Sequence, residues 1–218
     1  ARNTGQVDQA FAAEAAGFSA LWLRDIPTLD PGFGDAGQVH DIWTFAGRLS
    51  ALTSRIIIGS AAVVAPLDHP LHILRRAASI DRMTAGRFVL GLARGDRPAE
   101  TGLFGAGPAA DAFRTISRMN GEVFKDRFPT LLPLPAHQTG LPLIAVGQFG
   151  LTVPELRNLC QGLFLATDAN VHRRARHIRT EWPDALLLSV IRLKLDPDPD
   201  TPVISEAGNA IRCGINSL

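Results

Sequence analysis

Tyrosine is absent from the 218 residues, and cysteine and methionine occur only twice each. Cys160 and Cys213 are too few and too far apart for a disulfide framework or a zinc site, so the expected setting is reducing and cytoplasmic. No apolar run reaches the roughly 18 residues a membrane-spanning helix needs, and no signal-peptide pattern is visible; neither a membrane nor a secreted setting is expected. Charge of one sign is lacking as well. Twenty-two Lys and Arg stand against 21 Asp and Glu, interleaved along the chain, so no basic tract points to nucleic acid. Also missing is the G-x-G-x-x-G turn of an open dinucleotide-binding sheet: "GLARGD" carries only Gly91 and Gly95.

What is present is alternation. The spacing of Val7, Ala10, Phe11, Ala15 and Phe18 predicts a helix over 6–18, followed by a short strand over 19–23. A Pro- and Gly-rich loop fills 24–41, and Asp41 is placed to cap a helix over 41–53. "RIIIGSAAVV" (55–64) reads as one strand buried on both faces, and a helix over 71–86 leads into the strand "RFVLGLA". Periodicity is weak from 99 to 141, with a helix expected near 109–124. Strands at 142–147, 162–166 and 185–195 then alternate with helices at 151–160 and 168–182, and a loop over 196–209 precedes a helical fragment. Solid apolar strands, each followed by a helix or long loop, predict a parallel sheet covered by helices. With the dinucleotide turn missing, the expectation is a single α/β domain over 1–218, a (β/α)8 TIM barrel. Such barrels usually have about 250 residues. The chain is thus expected to be shortened, or incomplete by about one strand at each end.

In such barrels chemistry sits at the C-terminal ends of the strands. These ends carry Arg24 and Asp25, then Ala61 and Ala62, then Arg94, and finally "GQFGLT", from Gly147 through Gln148 and Phe149 to Thr152. A Gly-flanked turn into a helix start presents free N–H groups to an anion, with Thr152 as donor or N-cap. Arg94 offers a forked donor set suited to phosphate, and Ala61 and Ala62 leave room for a flat ring. Together they suit a planar cofactor that bears a phosphate. Each feature has a plainer reading: the Gly-Thr turn as turn chemistry, Arg94 as an ion-pair partner of Asp96, His69 as a cap. His172 and His177 read as a solvated helix face and Cys160 as packing, and no metal site is expected.

Three stretches, "AAEAAGFSALWLRD", "LSALTSRIIIGSAAVVAPLDHPLHILRRAASIDRMTAGRFVLGLARGDRPAETGLFG" and "IAVGQFGLTVPELRNLCQGLF", resemble the bacterial luciferase-like flavin monooxygenases. The specific part is the order of strand, "HP" turn, helix, "IDRMTAGR" and "LGLARG". The resemblance implies a (β/α)8 barrel that binds FMN, or in some branches a deazaflavin. It places Ala61-Ala62 under the flavin ring, where the family often has a non-proline cis peptide. Arg94 then matches the phosphate-contacting arginine, and Gly147, Gln148, Phe149 and Thr152 match the phosphate-holding turn and helix start. Phe149 stands where a small polar residue is common. Arg24 and Asp25, the candidate catalytic residues, stand where bacterial luciferase has a histidine pair, so aldehyde oxidation itself is not implied.

The implied activity is a two-component monooxygenase that uses reduced FMN from a separate flavin reductase, and dioxygen, on a small organic substrate. A homodimer is implied too. Deazaflavin-dependent hydride transfer, a non-catalytic flavin-binding relative and a phosphate-binding barrel enzyme of sugar metabolism are the competing readings.

Overall fold

The computed structural model describes residues 4–30, 40–125, 130–137, 140–165 and 170–189. Helix α1 (Thr4–Ala15) leads to β1 (Ala20–Leu23), and α2 (Ile42–Leu52) leads to β2 (Ile57–Ser60) and the short β3 (Val63–Val64). After a 3-10 turn at Ala65–Leu67 come α3 (Pro70–Met83), β4 (Phe88–Ala93), α4 (Pro98–Phe104) and α5 (Ala109–Asn120). The chain continues through β5 (Leu143–Val146), α6 (Val153–Arg157), β6 (Gly162–Leu165), α7 (Val171–Glu181) and β7 (Leu186–Ser189). The tail of the expected strand beyond 189, the expected loop over 196–209 and the terminal helical fragment lie outside the described residues, as does Cys213.

All strand pairs are parallel, in the order β1-β2-β4-β5-β6-β7, with β3 continuing the pairing to β4 beyond β2. The sheet is strongly curled. Trp22 on β1 and Phe164 on β6 meet edge to face with ring centroids 5.5 Å apart. Four strand spacings separate them along the sheet, about 19 Å if it were flat. The wall is that of the expected barrel, and among the described residues β1 and β7 are its two edges.

Alternation along the strands sorts side chains into two layers. Ile58, Phe88, Leu90, Leu92, Leu143, Ala145, Leu163 and Leu165 point out and are buried under the helices. Ile144, Phe164 and Leu188 point in, packed with Trp22, Ala61, Val89 and Val146. Two glycines shape this interior. A Cβ on Gly59 would lie 2.2 Å from the Trp22 ring, and one on Gly91 would lie 1.9 Å from the Ser60 carbonyl oxygen.

The expected strand over 55–64 is broken in two. Ile58 and Gly59 pair with Phe88 and Val89, whereas Val63 and Val64 pair with Leu92 and Ala93. Residues 60–62 therefore face only 90 and 91, a one-residue bulge of the kind that breaks a ladder and re-aims the chain. The weakly patterned region holds a second difference, since α4 occupies part of it. Pro98 at the first helical turn and Glu100 within it are ordinary helix-start residues.

The sequence motif that carries the resemblance builds the floor of the barrel. The fully buried Asp81 accepts from the amides of Ala136 (2.7 Å) and His137 (3.2 Å), and lies 2.9 Å from His137 Nδ1. Arg87 donates to the carbonyls of Ile56 (2.6 Å) and Thr53 (2.9 Å), fastening the α2–β2 turn to β4. Glu14 Oε1 collects the amides of Ser54, Arg55 and Ile56, and chiefly those of Ile56 and Arg55 lower its pKa to about 2.

Candidate functional site

The strand register puts the C-terminal ends side by side. Leu23 pairs with Ser60, Val64 with Ala93, Ala93 with Val146, and Leu165 with Ser189. Arg24, Asp25, Ala61, Ala62, Arg94 and Gly147 each follow directly from those ends, so one rim of the barrel carries them all. Ala61 donates its amide to the Leu23 carbonyl at 2.7 Å, which fixes the bulge beside Arg24. The Ala61-Ala62 peptide is cis. Ala61 packs with the inner layer, and Ala62 is buried.

Arg94 is exposed, and among the described residues its guanidinium has neither a hydrogen bond nor an ion pair, with Asp96 or any other group. One strand across lies the turn after β5. Gly147 takes φ +83, with open space where a side chain would be, and its amide is used by the Phe164 carbonyl. Leu151 closes the turn onto the Gln148 carbonyl at 2.8 Å. The amides of Gln148, Phe149 and Gly150 have no partner among the described residues. Arg94 and this turn follow paired strand ends, and a guanidinium together with three such N–H groups is a donor set of the kind that binds phosphate.

Two of the expected contacts take a different form. Phe149 adopts φ +55 and buries its ring against Phe113, centroids 4.4 Å apart, so it offers the rim only backbone. Thr152 is the N-cap of α6. Its amide (2.8 Å) and hydroxyl (2.9 Å) lie against Glu155 Oε2, and its hydroxyl receives the Glu155 amide at 3.4 Å, a closed capping box. The Glu155 carboxylate, held also by Arg114 at 3.0 Å, already answers the positive end of this short helix. Of the two roles open to Thr152, cap or donor, the structure shows the cap.

Across the mouth, Asp25 is half-buried and its carboxyl is pushed up to about 6. Burial is the main cause; the carboxylates of Asp41, Glu100 and Asp68 add to it, and Arg76 opposes it. Arg24 beside it is exposed. Thr28, Arg97 and Glu100 hold this side of the rim together; Arg97 follows a strand end in the sequence, whereas no short-range pattern announces Thr28 or Glu100. Away from the rim, burial pushes the Cys160 thiol up to about 11, and its sulfur contacts the Leu156 and Gly162 carbonyls; it is a packed, unreactive group. No helix among the described residues is long and apolar enough to cross a membrane.

A curled, all-parallel wall with helices packed on its outer face defines the class: a (β/α) barrel. The chain belongs to the luciferase-like monooxygenase family, whose model matches residues 2–147. It is 33% identical over 94 residues to the alkanal monooxygenase alpha chain of the Kryptophanaron alfredi symbiont, 43% of this chain and 25% of that one. That stretch is a quarter of the relative's length. Among solved structures, monooxygenase RslO1 from Streptomyces bottropensis superposes with a TM-score of 0.70 at 18% identity, over 88% of this chain and 65% of that one. The oxygenating constituent of 3,6-diketocamphane monooxygenase from Pseudomonas putida, a type II Baeyer-Villiger monooxygenase in complex with FMN, gives 0.63 at 14% identity, over 83% and 58%. At these identities the structures share the fold.

Proposed function

We propose that this chain binds reduced FMN at the rim and acts as the oxygenating component of a two-component monooxygenase on a small organic substrate. The observation that carries the reading is that, among the described residues, the Arg94 guanidinium and the amides of Gln148, Phe149 and Gly150 have no partner and follow the ends of two adjacent strands. These four groups would hold the terminal phosphate, while the small side chains of Ala61 and Ala62 leave space against the wall for the ring. The bound flavin would supply the electrons and the place where dioxygen is activated.

The chain's own residues supply the rest. Trp22, Phe164 and Val146 make an apolar interior that keeps water from the ring. Asp25, with its carboxyl raised to about 6, holds a proton on Oδ for part of the time near neutral pH and can give it to or take it from the substrate. Arg24 stands beside it for a substrate carbonyl or anion. The reduced flavin comes from a separate reductase in the cytoplasm, and the family resemblance extends the proposal to a homodimer.

Titration of the purified protein with anaerobically reduced FMN tests the reading, followed by flavin fluorescence and absorbance. Saturable binding of the reduced form is expected, and dioxygen should reoxidise the bound flavin more slowly than free reduced FMN. Binding of a deazaflavin in place of FMN would move the chain to hydride transfer. Binding with flavin reoxidation no different from that of free reduced FMN would make it a non-catalytic relative, and binding of neither cofactor would contradict the proposal.

A further inference from the structure

Two segments from different parts of the chain meet at the rim, and one residue of the first is held at two points by the second. Thr28 lies in the loop after β1, three residues beyond Asp25. Its hydroxyl donates to Glu100 Oε1 at 2.8 Å, and its carbonyl accepts from Arg97 Nη1 at 3.2 Å. Arg97 Nε stands 3.8 Å from the same Glu100 oxygen. Both charged residues are buried, Arg97 at 7% and Glu100 at 3% exposure.

Burying an ion pair is costly, and the cost is offset only when both partners find further hydrogen bonds. Here those further bonds go to the two ends of a single residue in the facing loop. A pair needed only to start α4 would not have to reach the loop after β1. Arg97 and Glu100 also follow Arg94 within two helical turns, so the phosphate side of the rim and the Asp25 side are joined through them.

The surroundings of Asp25 give the tie a consequence. Its carboxyl is faced by Glu100 from α4, by Asp41 from the start of α2 and by Asp68 from the turn before α3, with Arg76 of α3 the cation among them. Arg76 is itself engaged by Asp68, and Arg97 by Glu100. Glu100 is also bonded to the loop that carries Asp25, through the Thr28 hydroxyl.

We infer that Glu100 is a positioning residue for Asp25: with Arg97 it clamps Thr28, and so holds the Asp25 carboxyl at the mouth against a fixed neighbouring carboxylate. The inference rests on the reading of Asp25 as the group that handles the proton. The clamp keeps Asp25 from swinging into bulk water, where it would ionise as an ordinary aspartate. The raised midpoint of about 6 is what that placement produces.

Carboxyl carbon NMR of Asp25, without added flavin, tests this in the parent protein and in Glu100→Gln, Thr28→Val and Thr28→Ser. Glu100→Gln keeps an acceptor for Thr28 and removes the charge; the Asp25 midpoint is expected to fall by a fraction of a pH unit, since burial and Asp41 raise it more. Thr28→Val leaves every charge in place and cuts the tie, so the midpoint falls as the loop loosens, and Thr28→Ser restores it. A lower melting temperature with an unmoved midpoint would show a purely structural clamp and overturn the inference. If Glu100→Gln fails to fold, the Thr28→Val and Thr28→Ser pair decides: an unmoved midpoint in folded Thr28→Val overturns the inference. FMN affinity is measured separately on the parent protein, so loss of the flavin reading and loss of the clamp are distinct results.

Discussion

The Ser60 hydroxyl donates to the Gly91 carbonyl and accepts from the Gly91 amide, 2.8 Å in each direction. One side chain thus takes over both backbone bonds that the β2–β4 ladder loses at its bulge. The bulge in turn lifts Ala61 and Ala62 onto the rim where a ring could lie.

Ser60→Ala should therefore cost about 2–3 kcal/mol, because it strands a buried N–H and a buried C=O together. Gly91→Ala should be worse, since its Cβ meets the Ser60 carbonyl at 1.9 Å and backbone would have to move. Urea unfolding of the two variants checks both. A Ser60→Ala midpoint equal to the parent's would mean that water repairs the ladder.

Asp81 anchors the loop beneath the barrel with three hydrogen-bonding contacts from a fully buried carboxyl. Asp81→Ala is expected to destabilise the fold by about 2–4 kcal/mol, leaving two amides without an acceptor. FMN affinity of the folded fraction should stay at the parent value, because the floor and the rim are opposite ends of the strands. A selective loss of FMN binding with unchanged melting would contradict this assignment.

Asp25 makes stability depend on pH in a defined window. Its carboxyl is raised from 3.8 to about 6 in the fold, so ionising it costs stability. That cost is absent below pH about 3.8, grows through the interval and is complete above 6. Asp25→Asn removes it. The variant should be more stable than the parent by about 2 kcal/mol at pH 7, allowing for partial exposure, and indistinguishable from it at pH 3.5. Thermal melts at the two pH values decide, and an Asn variant less stable at pH 7 would reverse the sign.

Most of the fold was legible because its signals are local. The apolar runs at 20–23, 88–93, 143–146 and 162–165 are strands, and Asp41 and Thr152 are the caps that their positions suggest. The break at Ser60–Ala62 was not legible, since small apolar residues read straight through a bulge that exists only in the register against β4. Helix α4 was lost because seven residues give little periodicity, although Pro98 and Glu100 mark its start. At the rim, the free arginine and the glycine turn follow from residue type and place. The burial of Phe149 against Phe113, and the tie between Thr28 and Glu100, 72 residues apart, are long-range facts that no local pattern carries.

The most direct test of the account compares FMN with riboflavin, which has no phosphate, in the parent protein and in Arg94→Ala. The parent should hold reduced FMN tighter than reduced riboflavin by roughly ten- to a hundredfold, the contribution of a charge-assisted phosphate contact. Arg94→Ala should lose most of that preference while its riboflavin affinity stays the same. An Arg94→Ala protein that still prefers FMN by the parent's ratio would place the phosphate elsewhere and contradict the site proposed for it.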